Sequence, residues 1–155
     1  MNCLSWNVCG LGNPCTVQEL SRHVLEKDPG IVFFMETRST GPKMEKLRCK
    51  LQFRNMLVIP RRLFEVGLAL FWKNEVKLTM LSYSNNHVDA AVSPEDGGDW
   101  RFTGFYGEPE ASKRDYIRSL LGSLAHTITL PWVYVGEFNE IMKAEEKKGW
   151  HQRPE

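Results

Sequence analysis

No apolar run in the sequence approaches the roughly 20 residues that a membrane-spanning helix needs; the longest, such as Ile31 to Met35 and Leu68 to Trp72, fall far short. No membrane association is expected. The opening residues, MNCLSWNVCG, lack the basic start and long apolar centre of a secretion signal, which points to an intracellular, non-secreted chain in a reducing compartment. Cysteine is sparse and unpatterned: Cys3, Cys9, Cys15 and Cys49 form no C-x-x-C pair and have no histidine at zinc-finger spacing. That argues against structural zinc and predicts free thiols that serve packing. Nor is one charge in excess. Twenty basic residues against 19 acidic ones leave a net charge of +1, so nothing pulls the whole chain toward nucleic acid. Any such affinity must be local, with Arg61–Arg62 and Lys113–Arg114 as candidate patches or as ordinary solvated faces. There is no internal repeat and no linker. With 155 residues, 42% of them apolar, the chain 1–155 is expected to be a single domain that buries a substantial core.

The patterning that is present reads as strands and helices in a definite order. Residues 3–8 alternate Leu4, Trp6 and Val8 against Cys3, Ser5 and Asn7, as a strand does. Gly10, Gly12, Asn13 and Pro14 supply a loop, and Thr16 with Glu19 has the spacing of a capping box opening a helix. Val17, Leu20 and Val24 share that helix's apolar face, and it should end near Lys27 because Asp28 precedes Pro29. Ile31 to Met35 is continuously apolar and predicts a central strand buried on both faces, with Glu36 at its exit. A second helix follows Pro42, with Met44, Leu47 and Leu51 inward. Short strands are expected near 55–59, 66–72, 76–83, 87–93 and 100–107, in antiparallel connections, with Asp96-Gly97-Gly98 as a turn. Ser112 and Asp115 suggest a capping box for a third helix carrying Ile117, Leu120, Leu121 and Leu124. The stretch from Lys143 to Glu155 is charged and lacks core periodicity, as in a surface helix or a frayed end. A helix-covered sheet, a strand meander, a helix and a last strand imply a layered α/β or α+β sandwich.

That last strand lies in Trp132 to Ile141, WVYVGEFNEI. It reads as a buried strand whose period of two sends Glu137 and Asn139 to one side and Phe138 back into the core. Two oxygen-bearing side chains facing one spot can hold a hard cation or orient a water, while an asparagine after a strand is also an ordinary turn former. Asn7, Glu36, Tyr106, Glu137 and Asn139 each lie at the end of an apolar strand-like segment. Such exits are where binding groups gather in sheet enzymes, and they are also where burial alone leaves polar residues.

The ordered set SWNVCGLG, FFMETR, VGLALFW, WRFTGFYG and WVYVGEFNEI, spread over about residues 2–154, resembles the exonuclease, endonuclease and phosphatase superfamily. It is most similar to the endonuclease domain of plant LINE-type (non-LTR) retrotransposons. The resemblance implies a four-layer α/β/β/α sandwich and Mg²⁺-dependent hydrolysis of a phosphodiester, with Mn²⁺ as the alternative ion. In the retrotransposon branch that reaction nicks DNA, in the nucleus, and intact relatives carry a reverse transcriptase domain downstream. By the same resemblance Asn7 and Glu36 match metal-site residues, and Tyr106 matches the tyrosine beside the scissile phosphate. Glu137 stands where the family has the aspartate that orients or activates water, and Asn139 matches a phosphate-binding asparagine.

The sequence departs from the family in two ways. Glu137 carries one methylene more than aspartate, and a misplacement of about 1 Å can cost a catalytic constellation on the order of a hundredfold in rate. The family's domain also continues to a further aspartate and a Ser-Asp-His motif, which none of His23, His87, His126 or His151 supplies. On this reading the 155 residues form the N-terminal two-thirds of a sandwich incomplete at its C-terminus, with exposed edges and apolar surface. Weak or absent activity is then expected. The alternatives are a non-catalytic nucleic-acid-binding or interaction domain that keeps the fold, and a hydrolase of small phosphoesters.

Overall fold

A computed structural model describes residues 1–62, 65–107 and 111–139. The described elements are β1 (Cys3–Asn7), α1 (Pro14–Lys27), β2 (Ile31–Met35), α2 (Gly41–Lys50), β3 (Asn55–Arg62) and β4 (Glu65–Trp72) in the first half. They continue as β5 (Val76–Ser84), β6 (His87–Pro94), β7 (Trp100–Tyr106), α3 (Arg114–Ala125) and β8 (Trp132–Glu137). The strands form two four-stranded sheets in the orders β1-β2-β4-β3 and β5-β6-β7-β8. Each sheet holds one parallel pair, β1 with β2 and β7 with β8, and the remaining pairs are antiparallel.

Alternation along the strands sorts side chains into layers. From β2, Val32 and Phe34 turn outward and pack with Leu20 and Val24 of α1, Met44 and Leu47 of α2, and Phe71. Ile31, Phe33 and Met35 turn inward and meet Leu68, Leu70, Val88, Val92, Phe102 and Tyr106, so a second core lies between the sheets. All five residues of β2 are buried, as a strand covered on both faces requires. Gly104 has no side chain to keep the sheets apart here: a Cβ on it would come within 2.6 Å of the Phe33 ring. α3 covers the outer face of the second sheet, where Ile117 and Leu124 are buried. The order of layers is therefore α/β/β/α, the sandwich anticipated from the sequence.

Beneath α3 that outer face carries a polar network. Arg101 is fully buried and pairs bidentately with Asp89 at 2.8 and 2.8 Å, while its third nitrogen donates to the Leu124 carbonyl at 2.6 Å. Thr103 donates to Asp89 at 2.7 Å and accepts from the Trp132 indole at 2.8 Å. The Arg101 guanidinium also lies 4.8 Å from the centre of the Trp132 ring. A buried charge is tolerable when paired and fully hydrogen-bonded, and this pairing ties α3 and β8 to β6 and β7.

Several expectations need correction. α1 is capped by Asn13, whose side chain accepts from the Cys15 amide at 2.9 Å, with Pro14 in the first turn; Thr16 lies inside the helix. α3 has no side-chain cap, and a 3₁₀ turn over Ala111–Lys113 leads into it instead of a Ser112–Asp115 box. All four cysteines are free, as expected, but exposed, so packing does not explain them. β8 is not buried. Among the described residues it pairs on one side only, with β7, and Val133, Tyr134 and Phe138 are 46%, 53% and 37% exposed. Phe138 lies against Phe105 and Tyr134 at the rim and not in the core. The segment 143–155 lies outside the described residues.

Candidate active site

Each parallel pair ends at the same edge of its sheet. In the first, Asn7 is the last residue of β1, in register with Met35, and Glu36 follows directly. In the second, Tyr106 is in register with Glu137. Face-to-face packing of the sheets brings these four ends together, with Asn139 two residues on. Ligand sites on α/β sheets commonly lie at the carboxyl ends of parallel strands, where side chains leave the core without obstruction.

The contacts close across the sandwich. The Tyr106 hydroxyl, from the second sheet, donates to Glu36 Oε1 of the first at 2.5 Å. Asn7 Nδ2 donates to Glu36 Oε1 at 3.4 Å and also to Glu137 Oε2 of the second sheet. Its own Oδ1 accepts from the Cys9 amide at 3.1 Å. Arg38, a site residue the sequence reading did not single out, donates to Glu36 Oε2 at 2.8 Å. A basic residue two positions after an acid at a strand exit was the available signal. Asn139 donates to the Gly107 carbonyl at 2.7 Å, and its side chain also hydrogen-bonds to Tyr106.

The backbone is bent to reach this geometry. Cys9, Glu36, Arg38 and Asn139 all adopt φ between 45° and 54°, in the left-handed region that costs a non-glycine residue about 1 kcal/mol. Backbone bonds secure the turns: Gly10 donates to the Glu36 carbonyl at 2.8 Å, and Thr37 to Gly67 at 3.2 Å. On the other sheet Gly107 donates to the Glu137 carbonyl at 2.6 Å. Gly136 has φ 147°, and a Cβ there would meet the Phe105 carbonyl oxygen at 1.7 Å. Only glycine fits, which explains the residue before Glu137. The strand ends at Glu137, so Asn139 reaches the site through a left-handed turn and not through strand alternation.

Electrostatics follow the contacts. The hydrogen bond from Tyr106, with help from Asn7 and Arg38, holds Glu36 below the usual carboxylate range against the opposing effect of burial. Burial, the bond to Glu36 and the charges of Glu36 and Glu137 push the Tyr106 phenol up to about 12, against a smaller opposing effect of Asn139. Two carboxylates thus converge on one amide nitrogen. Arg38 partners one of them, and no basic side chain among the described residues pairs with Glu137. No three His, Cys, Asp or Glu side chains form a metal cage among the described residues. The donors are nonetheless oxygen-rich and jointly negative, which suits a hard cation that keeps several waters. None of the three described histidines is bonded to this cluster. His87 is held between Ser82 and Ser84, with burial lowering its pKa; His23 packs at a tilt against Trp6; His126 caps the end of α3.

Known structures share this architecture. The endonuclease domain of TRAS1, a telomere-specific non-LTR retrotransposon, matches with a TM-score of 0.67 at 14% identity, covering 90% of this chain and 61% of that one. A humanized D. rerio TDP2 matches with a TM-score of 0.68 at 14% identity, covering 90% and 66%. An AP endonuclease from Archaeoglobus fulgidus gives 0.62 at 16% identity, covering 88% and 56%. No family model matches the sequence, and no curated protein does. The chain has the endonuclease/exonuclease/phosphatase fold, and it spans about three-fifths of the TRAS1 domain's length. Among the described residues no helix is long and apolar enough to cross a membrane.

Proposed function

We propose that this site is that of a divalent-cation-dependent phosphodiesterase of endonuclease type, acting on DNA, with Mg²⁺ as the ion and Mn²⁺ able to replace it. The observation that carries the reading is the pair of carboxylates, one from each sheet, joined through the Asn7 amide. Glu36 and Asn7 would hold the cation, Asn7 by turning its amide oxygen inward. When bound, such an ion offsets the charge that grows on the phosphoryl oxygens. Glu137 orients the attacking water and accepts its proton. Asn139 and Tyr106 donate to the phosphate, Asn139 by releasing the Gly107 carbonyl and Tyr106 while its high pKa keeps the phenol protonated. Turnover is slow, because none of His23, His87 and His126 reaches the cluster to protonate the leaving oxygen. A LINE-type protein with a downstream reverse transcriptase, working in the nucleus, is the setting this reading implies.

Supercoiled plasmid incubated with Mg²⁺ tests it. Slow conversion to the nicked form is expected, lost in Glu36→Gln and in Glu137→Gln and absent with inositol phosphates as the substrate. Nicking that persists in both variants would overturn the assignment, and rapid turnover would overturn the slow-turnover part. Salt-dependent DNA binding that survives loss of Glu36 and Asn139, without nicking, would favour a non-catalytic DNA-binding domain.

A further inference from the structure

Between α1 and α2 lies a groove of about 230 Å³. Its floor is apolar, made by Leu11, Val17 and Leu47, and its rim is formed by Lys43, Lys46 and Lys50 of α2. The groove is joined to the site through two loops. Leu11 lies four residues beyond Asn7 and Ser39 three beyond Glu36, and the Leu11 amide bonds to the Thr37 carbonyl at 3.0 Å. The two loops that present Asn7 and Glu36 therefore also build its near end.

The lysines follow the helical repeat, at spacings of three and four residues, so they lie along one edge of α2. Their charge is not cancelled. The one acidic residue of α2, Glu45, is taken by Arg48, which donates Nε to it at 3.0 Å and Nη2 to its other oxygen. All three lysines are exposed, and none is in an ion pair among the described residues. A rise of about 1.5 Å per residue separates Lys43 from Lys50 by about 10 Å along the axis. That is roughly the length of three stacked nucleotides of one strand, at about 3.4 Å each.

We propose that this groove carries a nucleic-acid strand leaving the active site, with its phosphates on Lys43, Lys46 and Lys50 and a sugar or base over Leu11, Val17 and Leu47. The assignment rests on the phosphodiesterase reading of the adjoining cluster. It supplies the local attraction that a net charge of +1 does not. Unlike Arg61–Arg62 and Lys113–Arg114, these lysines are not adjacent in sequence, and their relation appears only at helical spacing.

Binding of a fluorescein-labelled 12-nucleotide DNA by the full chain in EDTA, followed by anisotropy across a salt series, tests the groove. Each phosphate contact on a single strand contributes about 0.7 to the slope of log affinity against log salt. Lys43→Ala with Lys46→Ala should lower that slope by about 1.4, and Lys43→Arg with Lys46→Arg should restore it. Lys27→Ala with Lys77→Ala, which removes the same charge away from the groove, should leave it unchanged. Equal slopes in the two alanine pairs would overturn the proposal. So would competition by poly-glutamate as strong as by unlabelled DNA at equal charge, which would assign the groove to acidic peptides. Lysine-dependent binding with no nicking would overturn the catalytic reading and uphold the groove. Nicking with lysine-independent binding would do the reverse.

Discussion

Tyr106, like Asn7, joins the two sheets through a side-chain hydrogen bond. Its hydroxyl lowers the pKa of Glu36, while burial and, second to it, the bond to Glu36 raise that of the phenol, so the hydrogen bond contributes at both ends of the pH scale. Glu36 is depressed in the folded state. Its contribution is therefore present above the ordinary carboxylate value of 4.5 and lost as pH falls through the lowered one. Tyr106 is raised from 10.0 to about 12, so its contribution is full below 10 and lost as pH rises through 12. Tyr106→Phe should destabilise the chain by about 1.5–3 kcal/mol, the range for a hydrogen bond to a charged group. The difference from wild type in urea unfolding should be flat between pH 5 and 10 and shrink on either side. A difference that does not change with pH would remove this bond from the account.

At the scale of elements, the patterns legible in the sequence were those set by local physics. Alternation and apolar runs gave eight strands in the right order, and the central burial of β2 followed from its unbroken IVFFM. What surrounds a strand was not legible. The apolar run WVYV reads as a buried strand, yet β8 has a neighbour on one side only among the described residues. Periodicity reports two faces but says nothing of the number of flanking strands. Capping was misplaced for a related reason: Thr16 and Glu19 have the right spacing, but Asn13 before Pro14 captures the helix start one turn earlier. The Arg101–Asp89 network holds β8 and α3 in place, and its members come from four segments with no sequence signature in common. Asp89→Ala should cost about 3–5 kcal/mol, because it leaves Arg101 buried and unpaired. Replacing both, as Asp89→Leu with Arg101→Met, should recover much of that in urea unfolding. A loss under about 1 kcal/mol for the single variant would mean that water reaches Arg101.

Across the whole molecule, the site is a consequence of topology. Asn7 and Glu137 are 130 residues apart in sequence, and only two parallel pairs ending at one edge, in sheets packed face to face, put the amide of one on the carboxylate of the other. Spacing could not have indicated this. The five polar exits were visible one at a time, and it was the resemblance in motif order that joined them. The groove of Lys43, Lys46 and Lys50 stayed hidden for a similar reason, since a near-neutral total conceals an uneven distribution. The claim on which the functional reading depends is that Glu36, with Asn7, holds a cation, and that the charge of Glu137 on the facing sheet strengthens its binding. Isothermal titration of Mg²⁺ into wild type, Glu36→Gln and Glu137→Gln measures it directly. One binding event in wild type, lost in Glu36→Gln and weakened at least tenfold (about 1.4 kcal/mol) in Glu137→Gln, is expected. Identical heats in all three proteins would contradict it.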